Sequence, residues 1–257
     1  MDRVLDFTDR YWKWIVVGAW LIFCTYFVIE RWNAIQFFAL RDTDDNLRMS
    51  QVRALVGGQD WYDLRQYKLN PPTGANVHWS RLVDLPIAGI ILVLRPLIGG
   101  IDAERIAIAV APMLPFLLLL FSLVLILRRL VDRHAYPLVF VALFFAGSAS
   151  GMFMPTRIDH HGWQLPLLAT VVAGLTDPKR ARGGAVTGSA SALSLAIGLE
   201  MLIYLAIAGA ATVLFWVWEP AERRRLSAHA ASLGGGAALG LSSRSAWGAE
   251  ALGRMKR

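Results

Sequence analysis

Long apolar runs divided by short polar stretches set the pattern of this chain. The runs cover residues 14–29, 85–98, 106–127, 136–154, 163–175 and 185–218. A membrane crossing needs about 20 mostly apolar residues, with a range of about 17–25. The first run, Trp14 to Ile29, follows Lys13 and precedes Glu30 and Arg31, with Trp12, Trp14 and Trp32 near its ends. It is aromatic and lacks a small-x-small cleavage site, so it predicts a retained helix rather than a cleaved signal peptide. The last run is broken by Gly198-Leu199-Glu200 and predicts two helices with a tight connection. The run 85–98 is short, opens on Asp84-Leu85-Pro86 and is interrupted by Arg95-Pro96. It predicts a helix lying in the outer interface or partly re-entrant, with a full crossing as the alternative.

Charge then orients the runs. Lys and Arg gather in four clusters: Arg3/Arg10/Lys13, Arg128/Arg129/Arg133, Lys179/Arg180/Arg182 and Arg223/Arg224/Arg225. Cytoplasmic loops are enriched in these residues. All four clusters share the cytoplasmic side only if 85–98 does not cross. The pattern therefore predicts an all-α, polytopic membrane helical bundle of about six transmembrane helices, with a cytoplasmic N-terminus. A long extracytoplasmic loop over about 31–104 carries short helices, a second outer loop covers about 155–162, and Glu200 lies at a third outer connection. Residues 1–226 form this transmembrane region. Residues 227–257 form a Gly/Ala/Ser-rich tail in which Ala228–Leu241 is a weak seventh apolar segment. That segment degrades into Ser242-Ser243-Arg244-Ser245, and a truncated or altered C-terminus is the expectation.

Composition agrees. Hydrophobic residues make up 56% of the 257, charged residues 18%, and the mean hydropathy is +0.46. Soluble domains average about 45–50% apolar and about 25% charged, so disorder is excluded and an ordinary soluble enzyme fits poorly. The single Cys24 excludes an internal disulfide framework and a Cys-based zinc site. A net charge of +7 would raise nucleic-acid binding in a soluble protein. Here the basic residues flank apolar runs, so topology explains them and no nucleic-acid partner is expected.

The first polar loop opens with Arg41-Asp42-Thr43-Asp44-Asp45-Asn46, followed by Leu47, Gln51 and Leu55 on one stripe and Gly57-Gly58 as a stop. This predicts a short helix with acids at its N-terminus. Acids there can simply cap the helix and meet its dipole. Capping needs one acid, and three within four positions repel unless a cation or basic partner joins them. Hard oxygen ligands suit Mg²⁺ or Mn²⁺. Further on, Asn70-Pro71-Pro72-Thr73-Gly74 is a turn. His78, Trp79 and Arg81 form an aromatic–basic cluster. That cluster reads equally as an interfacial anchor or as a grip on a phosphate or sugar.

The second polar loop, Thr156-Arg157-Ile158-Asp159-His160-His161-Gly162-Trp163-Gln164, puts one acid, two imidazoles and a guanidinium in five positions. Ionisable groups this close to a bilayer are costly and usually functional. Asp159 and His161 can bind a divalent ion, and His160 or His161 can act as acid or base. Adjacent His side chains in an extended turn point apart, so a site using both is not expected. Arg157–Asp159 pairing is the plainer reading. Glu200 is either another site acid or a lone polar residue at a helix end.

This constellation resembles the GT-C superfamily of membrane glycosyltransferases, which includes oligosaccharyltransferase catalytic subunits and protein O-mannosyltransferases. Asp42-Thr43-Asp44 resembles the first-loop Asp-x-Asp motif right after span one. Arg157-Ile158-Asp159-His160-His161 occupies the place of the second-loop motif, and its Asp-His-His resembles that of some oligosaccharyltransferase relatives. Asn70-Pro71-Pro72 before an interfacial helix resembles the O-mannosyltransferase-like branch. The resemblance covers about residues 10–220. Family members typically have more spans and often a soluble C-terminal domain, and the Trp-Trp-Asp-Tyr-Gly acceptor motif is absent here.

The resemblance implies an inverting transfer of a sugar from a polyprenyl-phosphate or polyprenyl-diphosphate donor to a glycan, lipid or protein acceptor. It places the chain in a bacterial inner membrane with a periplasmic active site. Asp44 is then the expected base or metal ligand, with Asp42 its closest competitor and Asp159 the second-loop acid. Arg81 or Arg157 would face the phosphate, and His78, Trp79, His160 and Glu200 would contact substrate. Asp44, Asp159 and His161 would hold Mg²⁺ or Mn²⁺. The alternatives are a non-catalytic membrane scaffold or inactive fragment and, less well matched, a small-solute transporter, which would place its ionisable groups near the bilayer midplane.

Overall fold

A computed structural model describes the backbone of residues 2–77 and 79–255, with side chains described over 5–77 and 79–240. Helices take up 75% of the chain and strands 2%, so the all-α class holds. Two helical stretches among the described residues are long and apolar enough to cross a membrane: Leu5–Glu30, within α1 (Asp2–Glu30), and Gly100–Leu130. The second is built from α5 (Gly100–Val110) and α6 (Met113–Leu130), joined through Ala111-Pro112. The sequence pattern predicts a span over 106–127 that runs through Pro112. Pro112 has no N–H to continue the ladder, so the helix breaks.

The remaining apolar runs are shorter than a six-span reading by length alone requires. Residues 136–154 form α7 (Pro137–Phe145), α8 (Gly147–Ser150) and a 3₁₀ turn, Gly151–Phe153. The Gly-Ser-Ala-Ser-Gly stretch has little intrinsic helix propensity and breaks the run. Then come α9 (His161–Leu175), α10 (Arg180–Ile197) and α11 (Leu202–Trp218), the last two separated at Gly198 as the sequence predicts. The tail forms α12 (Arg223–Met255).

In the first loop, α2 (Trp32–Gln36) is followed by α3 (Thr43–Val56), whose ends match the predicted acid start and Gly57 stop. Strands β1 (Arg65–Gln66) and β2 (Ala75–Asn76) pair antiparallel across the Pro-Pro turn. The run 85–98 becomes α4 (Asp84–Ile98), one arm of a hairpin whose other arm is α5. Gly99 reverses the chain at φ 87°, a conformation costly for any side chain.

Helices α1 and α6 pack antiparallel through aromatic side chains. Phe23 and Phe27 meet Phe116 at 5.3 and 5.7 Å between ring centroids, and Phe116 meets Phe153 at 5.0 Å. Trp20 ties the pair together by donating Nε1–H to the Met113 carbonyl at 2.8 Å. Small residues let α10 approach α12. A Cβ at Gly184 would overlap the Arg225 carbonyl, and one at Gly188 would overlap the His229 carbonyl. Close backbone approach of this kind is the usual way helices pack where lipid removes the hydrophobic drive.

The basic clusters meet at one end of the bundle. Arg128 and Arg133 pair with Asp9 of α1 at 2.6 and 3.4 Å. Arg129 and Arg182 pair with Asp177 at 3.2 and 2.7 Å. Arg225 donates to the Gly174 and Asp177 carbonyls at 2.8 Å each, closing the C-terminal end of α9. The N-terminal end of α9 carries His161, 15 residues and about 22 Å away. The basic end and the acidic loops are thus held apart by the length of one helix.

Gly184→Ala is expected to destabilise the protein by about 1–3 kcal/mol through overpacking. Gly89→Ala on the exposed side of α4, where nothing lies within 4 Å, is expected to be neutral or slightly stabilising. Thermal unfolding of the detergent-solubilised chain, one variant beside the other, measures both.

Candidate active site

Local capping chemistry builds the first half of the site. Asp42 is extended and its Oδ1 accepts from the Asp44 and Asp45 amides at 3.0 and 3.1 Å, so it is the N-cap of α3. Its Oδ2 pairs with Arg157 of the second loop. Asp45, at the third helical position, turns inward and is fully buried. Its Oδ1 accepts from the Ile158 and Asp159 amides at 2.8 and 3.0 Å, across 113 positions of chain in the first case. Its Oδ2 lies 3.2 Å from Arg157 Nη1. One arginine therefore stands among Asp42, Asp45 and Asp159, the last at 3.4 Å.

Asp44 behaves differently. It is partly buried, and among the described residues its carboxylate has no hydrogen bond or ion pair, only its backbone N–H being engaged. Of the three clustered acids, it alone is left free for a ligand.

The second half centres on Asp159, which is buried. The His160 amide donates to its Oδ1 at 2.5 Å, and His161 Nδ1 pairs with its Oδ2. The two imidazoles stack, with centroids 4.4 Å apart and planes at 30°. This corrects the expectation that adjacent His side chains point apart. The backbone here is helical, not extended: His160 has φ −70° and ψ −21°, and α9 starts at His161. On the far side of His160, Nε2 lies 3.1 Å from Glu200 Oε1. Gln164 holds the same carboxylate by donating Nε2–H to Oε2 at 3.1 Å. Glu200 is therefore brought into the site from the α10–α11 connection.

Arg157 and Asp159 face each other as predicted, but Arg81 does not meet them. Arg81 is buried and donates to the Gln51 and Asp63 carbonyls at 3.0 and 2.7 Å, with Asp84 at 3.5 Å. It ties the first loop to itself and has no free fork for a phosphate. Arg48, which the sequence reading assigned no role, is fully buried, pairs with Asp84 at 2.9 Å and stacks on Trp79 at 4.9 Å. Trp79 in turn lies 5.7 Å from the His160 ring, so it walls the second-loop imidazoles. His78 lies outside the described residues.

Asp159, His160 and His161 offer ligand atoms within 4.8 Å of one another. Asp44 is not in this group, so the expected set of Asp44, Asp159 and His161 is met in two members and gains His160. His160 Nδ1 lies 2.5 Å from Asp159 Oδ1, so the carboxylate already faces that nitrogen. Two imidazoles and one carboxylate suit Zn²⁺ or Fe²⁺ better than the oxygen-preferring Mg²⁺ or Mn²⁺.

Electrostatics separate the acids. Burial pushes the Asp45 carboxyl up to about 7, against the pull of the Ile158 and Asp159 amides. Burial also pushes Asp159 up, but its hydrogen bonds with His160 and His161 and their charge overrule it and hold it well below the usual carboxylate range. The hydrogen bond to Asp159 raises His161.

A narrow crevice runs from Pro86, Ile87, Pro112 and Pro115 to Arg157 and Asp159. Its volume of about 10 Å³ holds about one water. Compared with known proteins, the chain matches no family model, no curated protein and no solved structure.

Asp45→Ala leaves two buried amides without an acceptor and is expected to cost about 2–5 kcal/mol. Asp45→Asn keeps an acceptor and is expected to cost less. A raised carboxyl contributes stability that is full below its ordinary value near 4 and is lost as pH rises through about 7. Unfolding curves from pH 4 to 8 are therefore expected to fall with pH in the unmodified chain and to flatten over pH 4–7 in Asp45→Asn. An equal slope in both would remove Asp45 as the source.

Proposed function

We propose that this chain is a membrane glycosyltransferase of the GT-C type. It moves a sugar from a polyprenyl-phosphate or polyprenyl-diphosphate donor to an acceptor on the extracytoplasmic face. The observation that carries the reading is the convergence of residues 42–45 and 157–161 into one site at the end of the bundle opposite the basic clusters. That polarity supports a bundle of about six crossings with basic residues in the cytoplasm and the site outside. Hairpin α4–α5 supports the same parity. It starts beside Arg48, at Asp84, and returns to the second loop, where Ile108 accepts from the Thr156 amide at 2.8 Å. The hairpin therefore makes no net crossing.

Asp44 is the proposed base, because it is the acid no other group holds. It takes the proton of the acceptor hydroxyl as that oxygen bonds to the anomeric carbon. The bond from that carbon to the donor phosphate oxygen breaks on the opposite face, inverting the centre, and the polyprenyl phosphate or diphosphate leaves with the electron pair. Arg157 is the cation nearest the acids; its terminal nitrogens are held by Asp42, Asp45 and Asp159, so it would supply positive charge near the departing phosphate and not a free fork. Asp42 and Asp45 hold it in place. A divalent ion held by Asp159, His160 and His161 would add positive charge beside the leaving group. Glu200 and Trp79 border the His160 side and are the proposed sugar contacts.

Mass spectrometry of envelope glycolipids and glycoproteins tests this in a deletion strain complemented at matched membrane abundance. The unmodified chain is expected to restore a missing sugar, and Asp44→Ala to lower transfer by about 10²–10⁴-fold. Asp159→Ala is expected to abolish both transfer and Zn²⁺ binding by the purified chain. No glycan change, or equal restoration by Asp44→Ala and Asp159→Ala, would leave a membrane scaffold as the better account.

A further inference from the structure

The fourth basic cluster, Arg223-Arg224-Arg225, divides its labour. Arg225 is buried and holds Glu222 at 2.6 Å as well as the end of α9. Arg223 and Arg224 are exposed, and among the described residues neither has an ion pair or hydrogen bond. The nearby acids do not offset them. Glu219 is paired with Arg180, and Glu222 with both Arg180 and Arg225. The elbow between α11 and α12 is thus left with unneutralised positive charge.

An open groove lies at this elbow, lined by Trp216, Pro220, Ala221, Arg223 and Arg224. Directly beside it the end of α11 is apolar and bare: Leu214 is 65% exposed, Val217 71% and Trp218 92%. A tryptophan pair at the end of an apolar helix sits well at headgroup depth. Two free guanidinium forks one step further out match the oxygens of a phosphodiester. The Pro220 turn holds both in fixed relation, since it starts the 3₁₀ turn that leads into Arg223.

We propose that this elbow is a binding site for the headgroup of an anionic phospholipid, with the phosphodiester on Arg223 and Arg224 and the acyl chains along Leu214 and Val217. The inference rests on the bilayer part of the proposed function, not on glycosyl transfer. A lipid held here braces α12 against α11 at the end where Arg225 closes α9. Lipid composition would therefore bear on the stability of the helix that carries the catalytic imidazoles.

Native mass spectrometry of the full chain released from detergent tests the site. Probes are phosphatidylglycerol, phosphatidylcholine of the same acyl chains, and inorganic phosphate. The unmodified chain is expected to retain phosphatidylglycerol in preference to phosphatidylcholine. R223Q/R224Q is expected to bind phosphatidylglycerol about thirty-fold more weakly, each single variant to fall between, and R95Q at the α4 tip to bind as the unmodified chain does. Equal retention of the two lipids, or undiminished retention by R223Q/R224Q, overturns the proposal. So does displacement of phosphatidylglycerol by millimolar phosphate, which would mark a free-anion site. Alkaline carbonate extraction separates the failures: a chain that stays in the membrane but shows no lipid preference loses only this site, and one that is extracted loses the bilayer reading as well.

Discussion

The site depends on one buried carboxylate accepting two amides from a distant loop. Asp45 does for the second loop what a cap does for a helix: it gives the Ile158 and Asp159 N–H groups an acceptor where water does not reach. The cost of burying that carboxylate is only partly offset by the amides and by Arg157, so the carboxyl stays raised. Because the contact is through backbone, it fixes the path of residues 157–160 and not just one side chain. The direction of Asp159, the stacking of the imidazoles behind it and the reach of His160 to Glu200 all follow from that path.

Around this clamp the charges have different tasks. Asp42 and Asp45 hold Arg157, Asp84 holds Arg48 and Arg81, and Gln164 holds Glu200. These pairs are the scaffold of the site. Among the described residues the Asp44 carboxylate stays outside these pairs, and His161 and Glu200 are partly exposed.

Much of this was legible in the chain. The start of α3 at Asp42 and its stop at Gly57 follow from capping rules, and the break at Gly198 from composition. The two motifs could be singled out by their density of titratable groups. Which acid does what could not be read. Asp42, Asp44 and Asp45 look alike in sequence, and only their positions on the first turn of α3, facing a loop 113 residues away, assign one to capping, one to burial and one to neither. Arg81 looked like a phosphate ligand because arginine is one by nature, yet the loop's own carbonyls reach it first. Stacked imidazoles do not follow from an extended loop; they arise because α9 begins at the loop's last residues. The apolar runs located the helices but not their breaks at Pro112 and Gly147, which local sequence marks only weakly.

Helix α9 is gripped at its two ends by residues from opposite ends of the chain. The loop at its start is fastened by Asp45, and its last carbonyls by Arg225. A ribosome delivers the first of these long before α9 itself and the second only after α11. The partner for the start of α9 is thus made before the helix, and the partner for its end only after it.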